Sequence, residues 1–135
     1  MLRKGYIIAA LLAVLTLGAG CSLFEGGALP AIKLTANDNG RSIELQVGQV
    51  LAFTLNANPS TGYSWEMTKL DQKILQQLGE AEFTPDSALP GAGGKQIFRF
   101  KAVSAGQTAL TLIYHRSWEK DVAPLKTFSL QVVVH

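Results

Sequence analysis

The residue types that support catalysis or metal binding are scarce and far apart in this chain. Cys21 is the only cysteine, and His115 and His135 are the only histidines. A Ser-His-Asp or Cys-His arrangement needs a nucleophile beside a histidine, and nothing in the spacing provides one. Two distant histidines and one cysteine also form no recognisable metal-ligand pattern. We therefore predict that the protein is not an enzyme and uses no metal or cofactor.

A short loop-type segment suggests non-covalent recognition of another protein instead. Pro59 fixes its own φ and pushes Asn58 toward an extended conformation, and Gly62 can supply the positive φ at which the chain turns back. Ser60 and Thr61 then present small hydroxyl groups at the tip. We predict a narrow, polar, preorganised tip that suits insertion into a partner's cleft. The alternative is a tight turn whose hydroxyl groups merely bond their own backbone.

A second loop-type segment is rich in glycine. The run Gly91-Ala92-Gly93-Gly94 exposes main-chain N–H and C=O groups without side chains in the way, which would allow strand-like pairing with a cleft wall. We expect the stretch 85–94 to be long and mobile before binding. The alternative is a flexible linker with no role in binding.

Trp118 is the sharpest single candidate for a binding anchor. Arg116, Glu119, Lys120 and Asp121 surround it, which predicts an exposed position on a polar loop. Arg116 could pair with a carboxylate of a partner, stack beside the tryptophan, or form a surface pair with Glu119. The alternative for Trp118 is a core position.

These three segments, in this order, resemble the NPTTG-type, Gly-rich and Arg-Pro-Trp motifs of the chagasin-like inhibitors of papain-family cysteine proteases. The resemblance covers roughly residues 32–134. It implies an inhibitor that fills the protease's active-site cleft reversibly and without covalent chemistry. The residues that it assigns to protease binding are Asn58, Pro59, Ser60, Thr61, Gly62, Gly91, Ala92, Gly93, Gly94, Arg116, Ser117 and Trp118.

The resemblance also implies a role for each loop. Ser60 and Thr61 would approach the catalytic cysteine of the protease, Trp118 would pack near its catalytic histidine, and the glycine-rich loop would line a wall of the cleft. Ser117 stands where the family has proline, so we expect a loop that is less rigid before binding. The alternative function is an envelope lipoprotein that binds a non-protease partner with the same loops.

Residues 1–20 predict a secretory signal. Arg3 and Lys4 precede an apolar run over 6–17, and small residues follow at 18–20. The apolar run is shorter than the roughly 20 residues that a membrane-spanning helix needs. No nucleic-acid partner is expected, because without Arg3 and Lys4 the ten remaining basic residues only balance the ten acidic ones.

Cys21 follows the signal directly and resembles the acylated cysteine of a bacterial lipoprotein, although Leu17 stands four positions before it where the pattern has leucine three before. Ser22 resembles the signal for sorting to the outer membrane. We expect a lipidated tether over 21–31, an inhibitor domain over 32–135, and a monomer anchored by lipid in the bacterial envelope. The alternative is ordinary export as a soluble periplasmic or secreted protein.

Strands must position these loops. Apolar residues alternate with others over 51–55, 98–101, 110–114 and 128–134, which is typical of half-buried antiparallel strands. Asp38-Asn39-Gly40 suits a hairpin turn, and the spacing of Ile74, Leu75 and Leu78 suggests a short helical turn. The sequence predicts an all-β fold, an immunoglobulin-like antiparallel β-sandwich of about seven strands.

Overall fold

The computed structural model describes residues 29–135. The predicted signal, the predicted acylation site at Cys21 and most of the predicted tether lie outside these residues. Within them the chain forms nine strands and two short 3₁₀ turns, Ala36–Asp38 and Pro59–Thr61. The strands are β1 Ile32–Thr35, β2 Ser42–Leu45, β3 Val50–Ala57, β4 Ser64–Lys69, β5 Leu75–Gln77, β6 Glu82–Pro85, β7 Gly94–Ala102, β8 Gly106–His115 and β9 Lys126–Val134.

The strands form two sheets, which confirms the predicted all-β sandwich. One sheet has the order β1-β3-β7-β5, with β6 also paired to β7, and the other has the order β2-β9-β8-β4. Most pairs are antiparallel, but β1 pairs with β3 and β2 pairs with β9 in parallel. The structure therefore has more strands than expected and two parallel pairs that the prediction lacked.

The core lies between the sheets because each long strand places alternate apolar side chains inward. Phe53 is at its centre, with ring centroids 5.2 Å from Phe98, 5.5 Å from Phe100 and 5.0 Å from Phe128. Fully buried leucines from both sheets surround this aromatic group. The alternation seen in the sequence thus gives one continuous core, as a sandwich requires.

One local prediction is wrong, and another is right only in part. Residues 36–40 do not close a hairpin, since they connect β1 and β2, which belong to different sheets. Asn39 instead bonds the backbone of β9 through Ser129 N–H (2.8 Å) and Thr127 C=O (3.2 Å). The short helical turn predicted at Ile74 and Leu75 does form, since Leu75 N–H donates to the Asp71 carbonyl at 3.0 Å, but the chain then continues as strand β5, where Leu75 enters the core.

Strand directions bring three connections to one end of the sandwich. β3 ends at Ala57, the β6–β7 hairpin closes beside it, and β8 ends at His115 opposite the first residue of β4. In the described part of the chain, no helix is long and apolar enough to cross a membrane.

Candidate functional site

The three connections at this end are the β3–β4 loop (residues 58–63), the β6–β7 loop (86–93) and the β8–β9 loop (116–125). They contain the predicted binding residues except Gly94, which is the first residue of β7. Each loop has internal hydrogen bonds, and the three also contact one another.

The β3–β4 loop is a 3₁₀ turn with a defined cap at each end. Asn58 is the N-cap, and its Oδ1 accepts the Ser60 N–H at 3.2 Å, while Gly62 closes the turn with φ of 81°. The Thr61 hydroxyl donates to the Asn58 carbonyl at 2.6 Å. The hydroxyl groups thus bond their own loop, as the turn interpretation expects, and these bonds also hold the exposed tip in one shape.

The β6–β7 loop is a hairpin connection with internal hydrogen bonds, and its mobility before binding stays a prediction. Ala92 N–H donates to the Leu89 carbonyl at 3.2 Å, and Asp86 N–H donates to the Gly93 carbonyl at 3.0 Å. Pro90 precedes Gly91, whose φ is +79°, as in a type II turn. The loop tip is therefore fixed by its own backbone.

Gly94 has a different role from the loop glycines. It is buried at the start of β7, and a Cβ there would lie 2.8 Å from the Pro85 Cα of the paired strand. Its small size therefore allows the close approach of β6 and β7. Since Gly94 is buried, we assign it to packing and not to direct contact with a partner.

The β8–β9 loop begins with a tight turn that carries Trp118. Glu119 N–H donates to the Arg116 carbonyl at 3.0 Å, which places Ser117 and Trp118 at the two central positions. The Trp118 side chain is 65% exposed, so the core alternative is wrong. Its indole lies directly over Gly62, where a Cβ would overlap the ring.

Arg116 links two loops and is engaged within the molecule. Its Nε donates to the Thr61 carbonyl at 3.0 Å, and its guanidinium lies 4.5 Å from the Tyr63 ring centroid. Its Nη1 is 3.0 Å from Oε1 of Glu119, so the surface pair with Glu119 does form. Arg116 therefore stacks on Tyr63 and not beside Trp118.

Asn58 makes the corresponding link to the β6–β7 loop. Its Nδ2 donates to the Gly91 carbonyl at 3.3 Å, and the Ser60 hydroxyl reaches the same carbonyl at 3.4 Å. The Asn58 backbone N–H is in turn bound by the Tyr114 hydroxyl at 2.9 Å. One asparagine thus connects the tip, the neighbouring loop and the sheet beneath.

Aromatic side chains support the loops from below. The Tyr114 ring centroid lies 5.3 Å from that of Tyr63 and 4.9 Å from that of Trp65. Trp65 Nε1 donates to the Asn56 carbonyl at 3.0 Å, and its ring packs against the core. Trp65 is therefore a partly buried support beneath the loops.

The histidines are far from any catalytic arrangement. His115 Nε2 contacts the Glu66 carboxylate on neighbouring β4, and His135 Nε2 lies 3.5 Å from Glu44. Among residues 29–135, no group of three or more His, Cys, Asp or Glu side chains is placed to hold a metal ion.

Three exposed apolar side chains at this end were missed in the sequence. Leu89 is 73% exposed on the β6–β7 loop, and Val122 and Leu125 are each 59% exposed on the β8–β9 loop. The sequence did contain a signal for them, because large apolar residues in turn-rich segments are expected to stay exposed. Together with Trp118 they give this end an apolar character.

Comparison with known proteins identifies the type of molecule. The model of the family described as Chagasin family peptidase inhibitor I42 matches residues 44–132, which include all three loops. Chagasin from Trypanosoma cruzi is 32% identical over 90 residues, which cover 64% of this chain and 82% of chagasin. These relatives are inhibitors of peptidases, in agreement with the prediction that the chain is not an enzyme.

Solved structures show the same fold. The cysteine protease inhibitor EhICP2 from Entamoeba histolytica matches with a TM-score of 0.69 and 23% identity, over 78% of this chain and 96% of that chain. PbICP-C, solved in complex with falcipain-2, matches with a TM-score of 0.55 and 16% identity, over 79% of this chain and 100% of that chain.

Proposed function

This chain belongs to the chagasin family of peptidase inhibitors, and on that basis we propose that it inhibits papain-like cysteine proteases by filling the active-site cleft with its three loops. The observation that carries the proposal is that all three motif-bearing loops are bonded into one surface. Asn58 joins the β3–β4 loop to the β6–β7 loop, and Arg116 joins it to the β8–β9 loop. The solved complex of PbICP-C with falcipain-2 gives an example of a protease partner for this fold.

The β3–β4 loop is the centre of the proposed wedge. It lies between the other two loops and presents Ser60 and Thr61 at its tip, where they would face the catalytic cysteine. Neither hydroxyl has a histidine partner in the described residues, and both are bonded within the loop end. The two hydroxyl groups are thus not activated as nucleophiles, and inhibition would be occlusion of the cleft.

Preorganisation would give the wedge its affinity. Ordering side chains and loops on binding costs about 0.5–1.5 kcal/mol for each immobilised side chain. The internal bonds of the three loops already order them in the free protein, so less of this free energy is lost on binding. A standard interface of about 800 Å² on each partner could then support nanomolar binding by the monomeric protein.

Trp118 would supply the main apolar contact of the wedge. Its ring packs against Gly62 beside the tip, and this contact restricts the conformations that the side chain can adopt. A rigid exposed tryptophan is a typical interface anchor. Arg116 and Glu119 would act indirectly, because they neutralise each other and hold the turn that carries Trp118.

We further propose that the inhibitor is held at a bacterial envelope membrane through lipid on Cys21. The support is the sequence alone: a short signal-type segment with small residues ends directly before the only cysteine. Labelling with a radioactive fatty acid in a bacterial host, with Cys21→Ser as control, tests this. Label lost in the variant is expected, whereas an unlabelled wild-type protein would indicate ordinary export.

The substitution Thr61→Glu tests the wedge. A carboxylate at the tip would be buried without a partner in the cleft, so inhibition should fall below detection while the thermal midpoint stays nearly unchanged. Thr68→Glu is the matched control, because Thr68 is also exposed and its hydroxyl also donates to a backbone carbonyl, that of Thr111. Titrations of a papain-like protease should show full inhibition by this control.

Inhibition that survives Thr61→Glu would exclude insertion of the tip. Absence of inhibition by the wild-type protein across a panel of such proteases would favour a non-protease partner for the same loops.

A further inference from the structure

A small concavity lies beside the turn that carries Trp118. It has a volume of about 200 Å³, and its lining includes Tyr63, Val122 and Leu125. Small-molecule sites usually measure about 300–1,000 Å³, so this concavity is small for a free ligand. Its size suits a single side chain.

The charges around the concavity are already paired. Arg116 and Glu119 line it and bond each other at 3.0 Å, and the Arg116 guanidinium stacks on Tyr63. His115 also lines it and contacts the Glu66 carboxylate. A charged side chain entering from outside would find no unpaired partner in these groups. The lining also includes the exposed aliphatic side chains of Val122 and Leu125.

The concavity is continuous with the proposed wedge. Tyr63 closes the loop that carries the tip, and Arg116 begins the turn that carries Trp118. A protein seated on the wedge would therefore also come to lie over Val122 and Leu125. This continuity favours part of the inhibited protease as the occupant.

We propose that this concavity receives an apolar side chain from the rim of the protease cleft and thereby determines which papain-like proteases are bound most tightly. The inference rests on the proposed inhibitory function and adds a specificity site to it. Val122 and Leu125 lie outside the three motifs.

The test is the inhibition constant of the purified full chain and of Val122→Ser and Leu125→Ser against a panel of papain-like proteases. Each variant should bind the best-inhibited protease about 5- to 10-fold more weakly, because an aliphatic contact is lost. The inhibition constants for proteases that the wild type inhibits weakly should change less. The range of inhibition constants across the panel should therefore be narrower for the variants than for the wild type. Val47→Ser is the matched control, since Val47 is 49% exposed in the turn between β2 and β3 at the other end.

The outcomes separate the two proposals. If the wild type inhibits no protease in the panel, the inhibitory function fails and the specificity site fails with it. If the wild type inhibits but both serine variants stay within twofold of it on every protease, the inhibitory function stands and the specificity site is wrong. Equal losses in Val47→Ser would also overturn it.

Discussion

The two ends of the sandwich differ in how far backbone bonds join separate segments. At the end away from the site, backbone bonds do so alongside side-chain bonds such as that of Gln49 Nε2 to the Pro30 carbonyl: Gly48 N–H donates to the Ala102 carbonyl at 2.7 Å, and Val103 N–H to the Ile74 carbonyl at 2.8 Å. At the loop end, the side chains of Asn58 and Arg116 join one loop to the next. The arrangement of the three loops therefore depends on a few side chains that lie outside the strand ladders.

The two ends also differ in how many large apolar side chains they expose. Leu89, Trp118, Val122 and Leu125 are all exposed on the loops, whereas Val47 is exposed on the turn between β2 and β3. Exposed apolar side chains that cluster on one face mark an interaction site more often than scattered ones do. The cluster of four exposed apolar side chains on the loops supports the proposal that this end contacts a partner.

Two glycine substitutions should distinguish the two ends most strongly. Gly62→Ala places a Cβ against the Trp118 indole at φ of 81°, so we expect inhibition to weaken about tenfold or more, with a stability loss of about 1–2 kcal/mol. Gly106→Ala places a Cβ 2.8 Å from Ile74 Cδ1 at φ of 146°, so it should lower the thermal midpoint and leave inhibition unchanged. The measurements are thermal unfolding and the inhibition constant of both variants.

The two glycine variants also test whether the two ends are independent. If Gly106→Ala weakens inhibition as much as Gly62→Ala does, the two ends are not independent.

Ser117→Pro should have the opposite effect on inhibition and strengthen it. Ser117 is the first central residue of a four-residue turn, a position that favours proline, and within residues 29–135 its N–H makes no hydrogen bond. The variant should bind the protease more tightly by up to about 1 kcal/mol, or about fivefold. An unchanged or larger inhibition constant would show that the turn is already rigid or that proline distorts it.

The smallest expected effect concerns a turn outside the three loops. The Thr35 backbone N–H, followed by the Arg41 side chain, lowers the pKa of Asp38 below its ordinary value of 3.8. A carboxylate with a lowered pKa stabilises the fold above pH 3.8, and this contribution is lost as the pH falls through the lower folded-state value. Asp38→Asn should therefore be slightly less stable than the wild type at pH 7 and approach it near pH 2.

Thermal unfolding of both proteins between about pH 2 and pH 7 checks this, because the difference between them isolates Asp38. Inhibition at neutral pH should be the same for both. A difference in stability that grows toward low pH would contradict the assignment.

Much of the fold could be predicted because long strands carry a clear alternation. Strands β3, β7, β8 and β9 each bury alternate apolar residues, and the sequence identified them. Strand β6 was not predicted because every one of its residues is exposed, so it has no apolar inward face to detect. Strand β5 was interpreted as helical because Leu75 follows a turn in which Ile74 also packs inward.

The loops of the site could be predicted, but their mutual contacts could not. Each motif is a local signal of turn residues, so its position was visible in the chain. The contacts of Trp118 with Gly62 and of Arg116 with Thr61 join residues that are far apart in sequence, and only the sandwich topology brings them together. The roles of Arg116 and Gly94 therefore became clear only in the structure.

Titration of papain with the purified protein, alongside its Trp118→Ala variant, tests the central claim most directly. The account predicts reversible one-to-one inhibition by the wild type and a loss of about 2–4 kcal/mol of binding free energy in the variant, with the thermal midpoint unchanged. Equal inhibition by both proteins would contradict the claim that the three-loop surface carrying Trp118 binds the protease.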